Sequence, residues 1–274
     1  MSHVLGLSQP AVGRLGLSTW VDDDGPPAAI PALLFCGRRR LSRDRVERCF
    51  SDDTVLLESI GLLERDGDRA VAPVAIVPVR DSLSVAPWDR LPDDSSLHLV
   101  GALPSSASSW LDIGTGAAFA PLAAPALAPS IVGADIDAES IALAEIGVAL
   151  SGADHIELRD ADLLDVGEAA PSLITFNAPI AADLRDLMAR FWDGAAERCA
   201  PGGEVLAHCR ADAAIPPTAA GEVVVARYTP NGSEAFVVVR WHPHRPTSRR
   251  EIVVNLGPRR PHVRRDWISR DDPS

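Results

Sequence analysis

The chain has 274 residues, 46% hydrophobic and 23% charged, which is the balance of a folded, water-soluble protein and excludes a disordered or membrane-embedded one. A net charge of −12 excludes broad nucleic-acid binding by the whole surface. Cys36, Cys49, Cys199 and Cys209 stand apart with no C-x-x-C pair, which speaks against a disulfide framework and predicts no metal site.

The first residues carry no charged region ahead of an apolar one, so no signal peptide is read. No apolar run reaches about eighteen residues, so no membrane partner is expected and the chain reads as cytoplasmic. Asp22-Asp23-Asp24-Gly25-Pro26-Pro27 is a punctuated loop. Residues 28–36 read as a short helix, and Ser42 caps a second one bearing Val46, Cys49 and Phe50. Ser51-Asp52-Asp53 caps a third, whose apolar face is Val55, Leu56 and Ile60. Residues 61–71 then form two short strands about an Asp-Gly turn. Three helices before a hairpin outline a winged helix. Val74–Val79 is a strand, Pro87 and residues 92–96 are loop, and Leu97–Val100 lead onward.

From residue 108 strands alternate with helices, which implies a parallel sheet. Strands are predicted at Trp110–Ile113, Ile131–Ile136, His155–Leu158, Ser172–Phe176 and Glu204–Cys209, with helices near 117–127, 138–150 and 182–199. Two more strands, Glu222–Tyr228 and Ala235–Trp241, flank Pro230-Asn231-Gly232. The expected fold is α/β: a doubly wound, Rossmann-like, seven-stranded sheet behind a small helical, winged-helix-like domain. The domain reading is 1–100, 101–245 and an Arg-rich tail over 246–274. Residues 240–274 hold nine arginines against Glu251, Asp266, Asp271 and Asp272. Arg38-Arg39-Arg40 with Arg43, Arg45 and Arg48 add a basic cluster to the first domain, read more readily as a solvated face than as a nucleic-acid contact.

The chemistry concentrates at four strand ends. Leu111-Asp112-Ile113-Gly114-Thr115-Gly116 is an apolar run closing on a carboxylate and a glycine turn. Phe119 stands where a dinucleotide fold wants a third glycine, which disfavours a pyrophosphate. A carboxylate just before the turn welcomes a cation instead. Asp135 ends the second strand, where it can pair with both hydroxyls of a ribose, and Ile136 can lie on an adenine face. Asp137 caps the next helix. Asp162 is placed to accept from an adenine amine, with a plain surface carboxylate as the alternative. Asn177-Ala178-Pro179 ends the fourth strand. An Asn carbonyl and the next backbone carbonyl can together orient an N–H₂ group toward an incoming methyl, which is catalysis by positioning. His208, ending the fifth strand, is a candidate general base for a hydroxyl acceptor, or an ordinary packed histidine. His98 could line the substrate mouth.

These residues together resemble the class I S-adenosylmethionine-dependent methyltransferases, and within them the branch that methylates glutamine of release factors. Residues 108–240 carry the similarity; residues 28–100 more faintly resemble the amino-terminal extension of a bacterial subgroup, with His98-Leu99-Val100-Gly101 as its His-x-x-Gly stretch. The resemblance implies S-adenosyl-L-methionine as cofactor, held by Asp112, Gly114, Thr115, Gly116, Asp135, Ile136 and Asp162, and an acceptor oriented by Asn177, Ala178 and Pro179. The branch's strand-four motif is N-P-P-[YF]; here Ala178 replaces a proline and Ile180 the aromatic ring. An amine or amide of a small molecule or peptide is therefore the expected acceptor. A protein glutamine or an O-methyl acceptor served by His208 follows, and nucleic acid is disfavoured. Dimerisation and cover of the acceptor mouth are the roles open to the first domain. The rival of another class is a winged-helix nucleic-acid-binding regulator whose second domain senses a nucleoside.

Overall fold

Trp110, Leu111, Asp112 and Ile113 are all buried, as in an interior strand covered on both faces. The computed structural model that shows this describes residues 30–254, apart from 168–169, 180–183, 216–218 and 229–235. The readings of residues 1–29, Ile180, the Pro230-Asn231-Gly232 turn and the chain beyond Val254 lie outside the described residues. The chain divides after Leu91 into two compact units, each described by itself.

In the first unit a π-helical turn, Ala32–Cys36, buries Leu33, Leu34 and Phe35. Strand β1 (Leu41–Ser42), helices α1 (Arg43–Phe50) and α2 (Asp53–Ser59), and strands β2 (Glu64–Asp66) and β3 (Arg69–Val71) follow. The three strands form an antiparallel sheet in the order β1-β3-β2. The expected hairpin about Gly67 is present, with the glycine at φ +64°. Val74–Val79 is strand β4, as expected, but its partner β5 (Ser82–Pro87) had been read partly as loop because of its closing proline. Helix α2 differs from expectation: Val55, Leu56 and Ile60 are exposed at 68%, 56% and 48%, and Thr54 is its buried position.

The second unit opens on helix α3 (Asp94–Ala102), in a stretch read as loop and connector. Asp93 caps it, its carboxylate accepting from the Ser95 backbone N–H at 2.8 Å. The boundary drawn at residue 100 therefore falls inside a helix that belongs to the sheet-bearing unit. Then come β6 (Trp110–Ile113), α4 (Phe119–Ala123), β7 (Ile131–Asp135), α5 (Ala138–Ser151), β8 (Ile156–Asp160), β9 (Leu173–Asn177), α6 (Leu184–Arg198), β10 (Glu204–Arg210), β11 (Glu222–Tyr228), β12 (Phe236–His242) and β13 (Ser248–Val254). Helix α4 is shorter than the predicted 117–127 and breaks into a 3-10 turn at Pro125–Leu127, because Pro125 lacks the N–H that would continue it.

Among the described residues the sheet has eight strands, in the order β13-β11-β12-β10-β9-β6-β7-β8, and not the seven expected. The extra strand is β13, parallel to β11, in what had been assigned to an Arg-rich tail. Its arginines hid the β-branched Ile252-Val253-Val254, which fit a pleated edge. Strands β8, β7, β6, β9 and β10 are parallel, and β12 runs antiparallel to β10 and β11. The chain starts in the middle at β6, winds outward through β7 and β8, then crosses back to β9 and β10. That reversal opens a crevice outside the carboxyl ends of β6 and β9. Beneath it Phe176 meets Phe191 at 4.7 Å between ring centres, and Trp192 meets Trp241 at 6.1 Å. These rings lie in one core with Ile113, Ile174 and Met188.

Asp137 caps α5 as predicted, accepting from the Glu139 N–H at 3.2 Å and the Ser140 hydroxyl at 2.8 Å, and Gly152 closes the helix in the left-handed region. Replacing Asp137 with Ala is expected to cost about 1 kcal/mol, read as a lower urea midpoint at unchanged slope. A variant as stable as the parent would mean that packing alone sets the start of α5.

Candidate functional site

The turn after β6 is built by its own residues. Gly114 and Gly116 lie at φ +59° and +53°, a region costly for other residues, and a Cβ on Gly116 would meet nothing within 4 Å. The turn is thus left-handed and faces open space at Gly116. Thr115 is buried; its N–H donates to the Ala134 carbonyl at 2.9 Å and its hydroxyl to the Asp112 carboxylate at 2.7 Å. The other Asp112 oxygen accepts from the Thr175 hydroxyl at 2.5 Å, and Thr175 in turn accepts from the Trp110 indole N–H at 2.6 Å. Asp112 is 3% exposed, so it lies under the turn and fixes it rather than standing in the crevice.

Burial pushes the Asp112 carboxyl up to about 6, against the pull of the Thr175 and Thr115 hydroxyls and with a further push from the Asp135 charge. The folded chain therefore holds this proton more tightly than the unfolded one. Stability from this group is greatest near pH 4 and declines as pH rises toward about 6. Asp112→Asn, which keeps the shape and cannot ionise, is expected to remove that decline. Relative to the variant, the parent should lose on the order of 2 kcal/mol between about pH 4 and 7 in urea unfolding. A gap independent of pH would mean that Asp112 titrates normally.

Asp135 sits at the carboxyl end of β7, half-buried. One of its oxygens accepts from the Gly116 N–H at 2.8 Å and the other from the Asp137 N–H at 3.0 Å. Each oxygen keeps a second lone pair for a ligand hydroxyl. Ile136, the next residue, is 69% exposed, an apolar side chain at the mouth of the crevice. Asp162 is engaged elsewhere: its carboxylate bonds Arg190 at 2.6 Å.

On the far side of the reversal, Asn177 ends β9 in direct register with His208 of β10, so the two side chains share a face. The Ala178 N–H donates to the His208 carbonyl at 2.9 Å, while Pro179 is exposed. Helix α3 packs against β9, β10 and β12, bringing Ser95, Ser96 and His98 to these two residues. The Asn177 amide nitrogen donates to the Ser95 hydroxyl oxygen at 2.9 Å and to that of Ser96 at 3.3 Å. Its Oδ1 is buried and accepts from no group among the described residues.

The His208 ring stacks on Phe236 at 5.6 Å and lies 5.6 Å from the His98 ring, and its Nε2 is likewise buried without a partner among the described residues. Burial first, then the neighbouring His98 charge, pushes the His208 ring down to about 4, with Asp93 pulling the other way. The ring is neutral and weakly basic at neutral pH. An NMR titration of its ring protons is expected to show a midpoint near 4 and no change between about pH 6 and 8. A midpoint near 6.5 would mean that water reaches the ring.

The residues predicted from sequence thus fall into four places. Gly114, Gly116, Asp135 and Ile136 lie at the ends of β6 and β7. Asn177, Ala178, Pro179 and His208 gather at the ends of β9 and β10. Asp112 and Thr115 bond each other within the buried turn, and Asp162 stands apart on Arg190. Sequence reasoning missed Thr175, for which no signal exists, and Asp93, Ser95 and Ser96. The last three carried a usable signal, since Asp93-Asp94-Ser95-Ser96 before an apolar run is a helix start.

A cavity of about 530 Å³ opens elsewhere, at the amino ends of β9 and β10, lined by Ser108, Ser172, Glu204, Arg240, His242 and Arg245 among others. Its cations are already matched: Arg240 bonds Glu204 at 2.6 Å and Arg245 bonds Glu222 at 2.7 Å. Among the described residues no group of three or more His, Cys, Asp or Glu is arranged to hold a metal, and no helix is long and apolar enough to cross a membrane.

No family model and no curated protein matches the chain. Solved structures do. A Mycoplasma capricolum TrmK in complex with S-adenosylhomocysteine aligns at 9% identity and a TM-score of 0.47, covering 58% of this chain and 72% of that one. The precorrin-6y C5,15-methyltransferase of Geobacter metallireducens aligns at 12% identity and 0.42, covering 58% and 92%. A ribosomal protein L11 methylase from Lactobacillus delbrueckii subsp. bulgaricus aligns at 22% and 0.40, covering 54% and 78%.

Proposed function

We propose that the chain is an S-adenosyl-L-methionine-dependent methyltransferase whose cofactor lies across the ends of β6 and β7 and whose acceptor sits at the ends of β9 and β10. The observation that carries this reading is Asp135. A carboxylate already oriented by two backbone N–H groups, with lone pairs to spare, beside an exposed Ile136 and an open glycine turn, suits a ribose diol, an adenine face and a close backbone approach. Bound there, the cofactor supplies a methyl group on a sulfonium.

The chain's own part is alignment and exclusion of water. Asp135 fixes the ribose, Ile136 covers the adenine, and the Gly114–Gly116 turn borders the amino-acid portion. Asp112 serves that portion through the turn it anchors. Asp162 reaches an adenine amine only by sharing its carboxylate with Arg190. The buried Oδ1 of Asn177 accepts an N–H of the acceptor and aims its nitrogen lone pair.

An amine or amide nitrogen is favoured over a hydroxyl. A histidine whose ring sits near pKa 4 is a poor base at neutral pH, which removes the main support for an oxygen acceptor activated by His208. A small molecule or peptide remains the proposed acceptor class.

Calorimetric titration tests the cofactor. The protein is expected to bind S-adenosylmethionine and S-adenosylhomocysteine with micromolar affinity. Asp135→Ala should weaken both by at least about tenfold, on the scale of a lost charge-assisted pair of hydrogen bonds. No binding of either compound by the parent protein would overturn the reading.

A further inference from the structure

Asn177 has two chemically opposite ends, and which one faces the acceptor decides what the site can bind. A neighbouring hydroxyl alone does not settle this, because a serine can give or take a hydrogen bond. Here the ambiguity is removed one residue further out. The Ser95 hydroxyl donates its single proton to the Asp93 carboxylate, the same carboxylate that caps α3 through the Ser95 N–H. With its proton committed, the Ser95 oxygen can only accept. The group it accepts from is the Asn177 amide nitrogen, at 2.9 Å. The amide is thereby held with Nδ2 toward α3 and Oδ1 turned away from the serines, buried and without a partner among the described residues. An unpaired buried carbonyl is costly, and a ligand donor would satisfy it.

We propose that Asp93, acting through Ser95, is a positioning pair that locks the Asn177 amide as a hydrogen-bond acceptor, and so restricts the methyl acceptor to nucleophiles that carry an N–H. Both residues act through Asn177 and neither touches the reacting atoms. His208 lies in register beside the amide, with its Nε2 buried and its ring uncharged at neutral pH. An acceptor presenting an –NH₂ group meets an Oδ1 that has no partner among the described residues. A carboxylate or phenolate acceptor offers no N–H to Oδ1 and meets its lone pairs instead. This inference rests on the methyltransferase reading above.

The test needs no knowledge of the natural acceptor. Sinefungin replaces the methylsulfonium of the cofactor with a carbon bearing an amine, so it puts N–H groups where the methyl leaves. S-adenosylhomocysteine has nothing at that place. The ratio of their dissociation constants, measured by calorimetry on the full chain, reads the acceptor-side hydrogen bond alone. The parent protein is expected to prefer sinefungin. Ser95→Ala should lower that preference by about fivefold or more, with homocysteine-analogue affinity kept within about twofold. Ser95→Thr, which keeps the hydroxyl, should restore the parental ratio.

An unchanged ratio in Ser95→Ala, with S-adenosylhomocysteine still bound, overturns the positioning role and leaves the cofactor assignment standing. Equal weakening of both ligands overturns it too, because that is what loss of folding would give. Failure of the parent protein to bind either compound takes the methyltransferase reading down with it.

Discussion

One buried carboxylate ties the functional half of this protein together. Asp112 belongs to β6, accepts from Thr115 in the turn that β6 feeds, and accepts from Thr175 on β9. Those three segments meet where the strand order reverses, and the reversal makes the crevice. A carboxylate at 3% exposure is expensive to keep ionised, and the raised carboxyl near 6 is the measure of that expense. What it secures is geometry. The Trp110 indole N–H enters the same chain of bonds through Thr175, so a core aromatic and the site's turn share one network. Leaving any member unpaired would strand its partners in a dry interior, where a lost bond costs most.

The fold was legible in the sequence wherever burial was continuous. Runs such as Trp110–Ile113 and Ile131–Asp135 have no polar face to confuse the period, and glycines and prolines mark their ends. The Asp137 cap was equally plain. What escaped were elements whose composition argued against their conformation. Asp94–Ala102 carries two serines and a histidine in its first five residues and passed for a linker, yet Asp93 supplies the cap that makes it a helix. Ser248–Val254 is a strand with two arginines, and charge hid its β-branched end.

The candidate site divides along the same line. Candidate residues at a strand end, such as Asp135 and Asn177, could be named, because a carboxylate or amide just after an apolar run has a fixed place in a parallel sheet. Residues that act by contact across the fold could not. Thr175 lies 63 positions from Asp112, and Ser95 lies 82 from Asn177, and no local pattern links either pair. The role of Asp112 shifted for this reason. From sequence it stood before a cation; in space its oxygens face two threonines inside the protein.

The two walls of the crevice are built on opposite electrostatic plans, and that contrast bears on the chemistry. On the β6–β7 side Asp135 is half-exposed and its carboxylate is oriented by two backbone N–H groups. On the β9–β10 side the polar atoms are buried and neutral: an amide carbonyl and an imidazole kept uncharged by desolvation and by its histidine neighbour. A methyl leaving a sulfonium needs no protein charge at the receiving end. Charge there would solvate the nucleophile's lone pair or draw water in. On the proposed reading a neutral carbonyl holds an N–H donor in line and leaves the nucleophile's lone pair free, while His208 stacks on Phe236 beside it. On the proposed reading this wall works by alignment, and the orientation of one asparagine side chain, set from helix α3, determines what it can align.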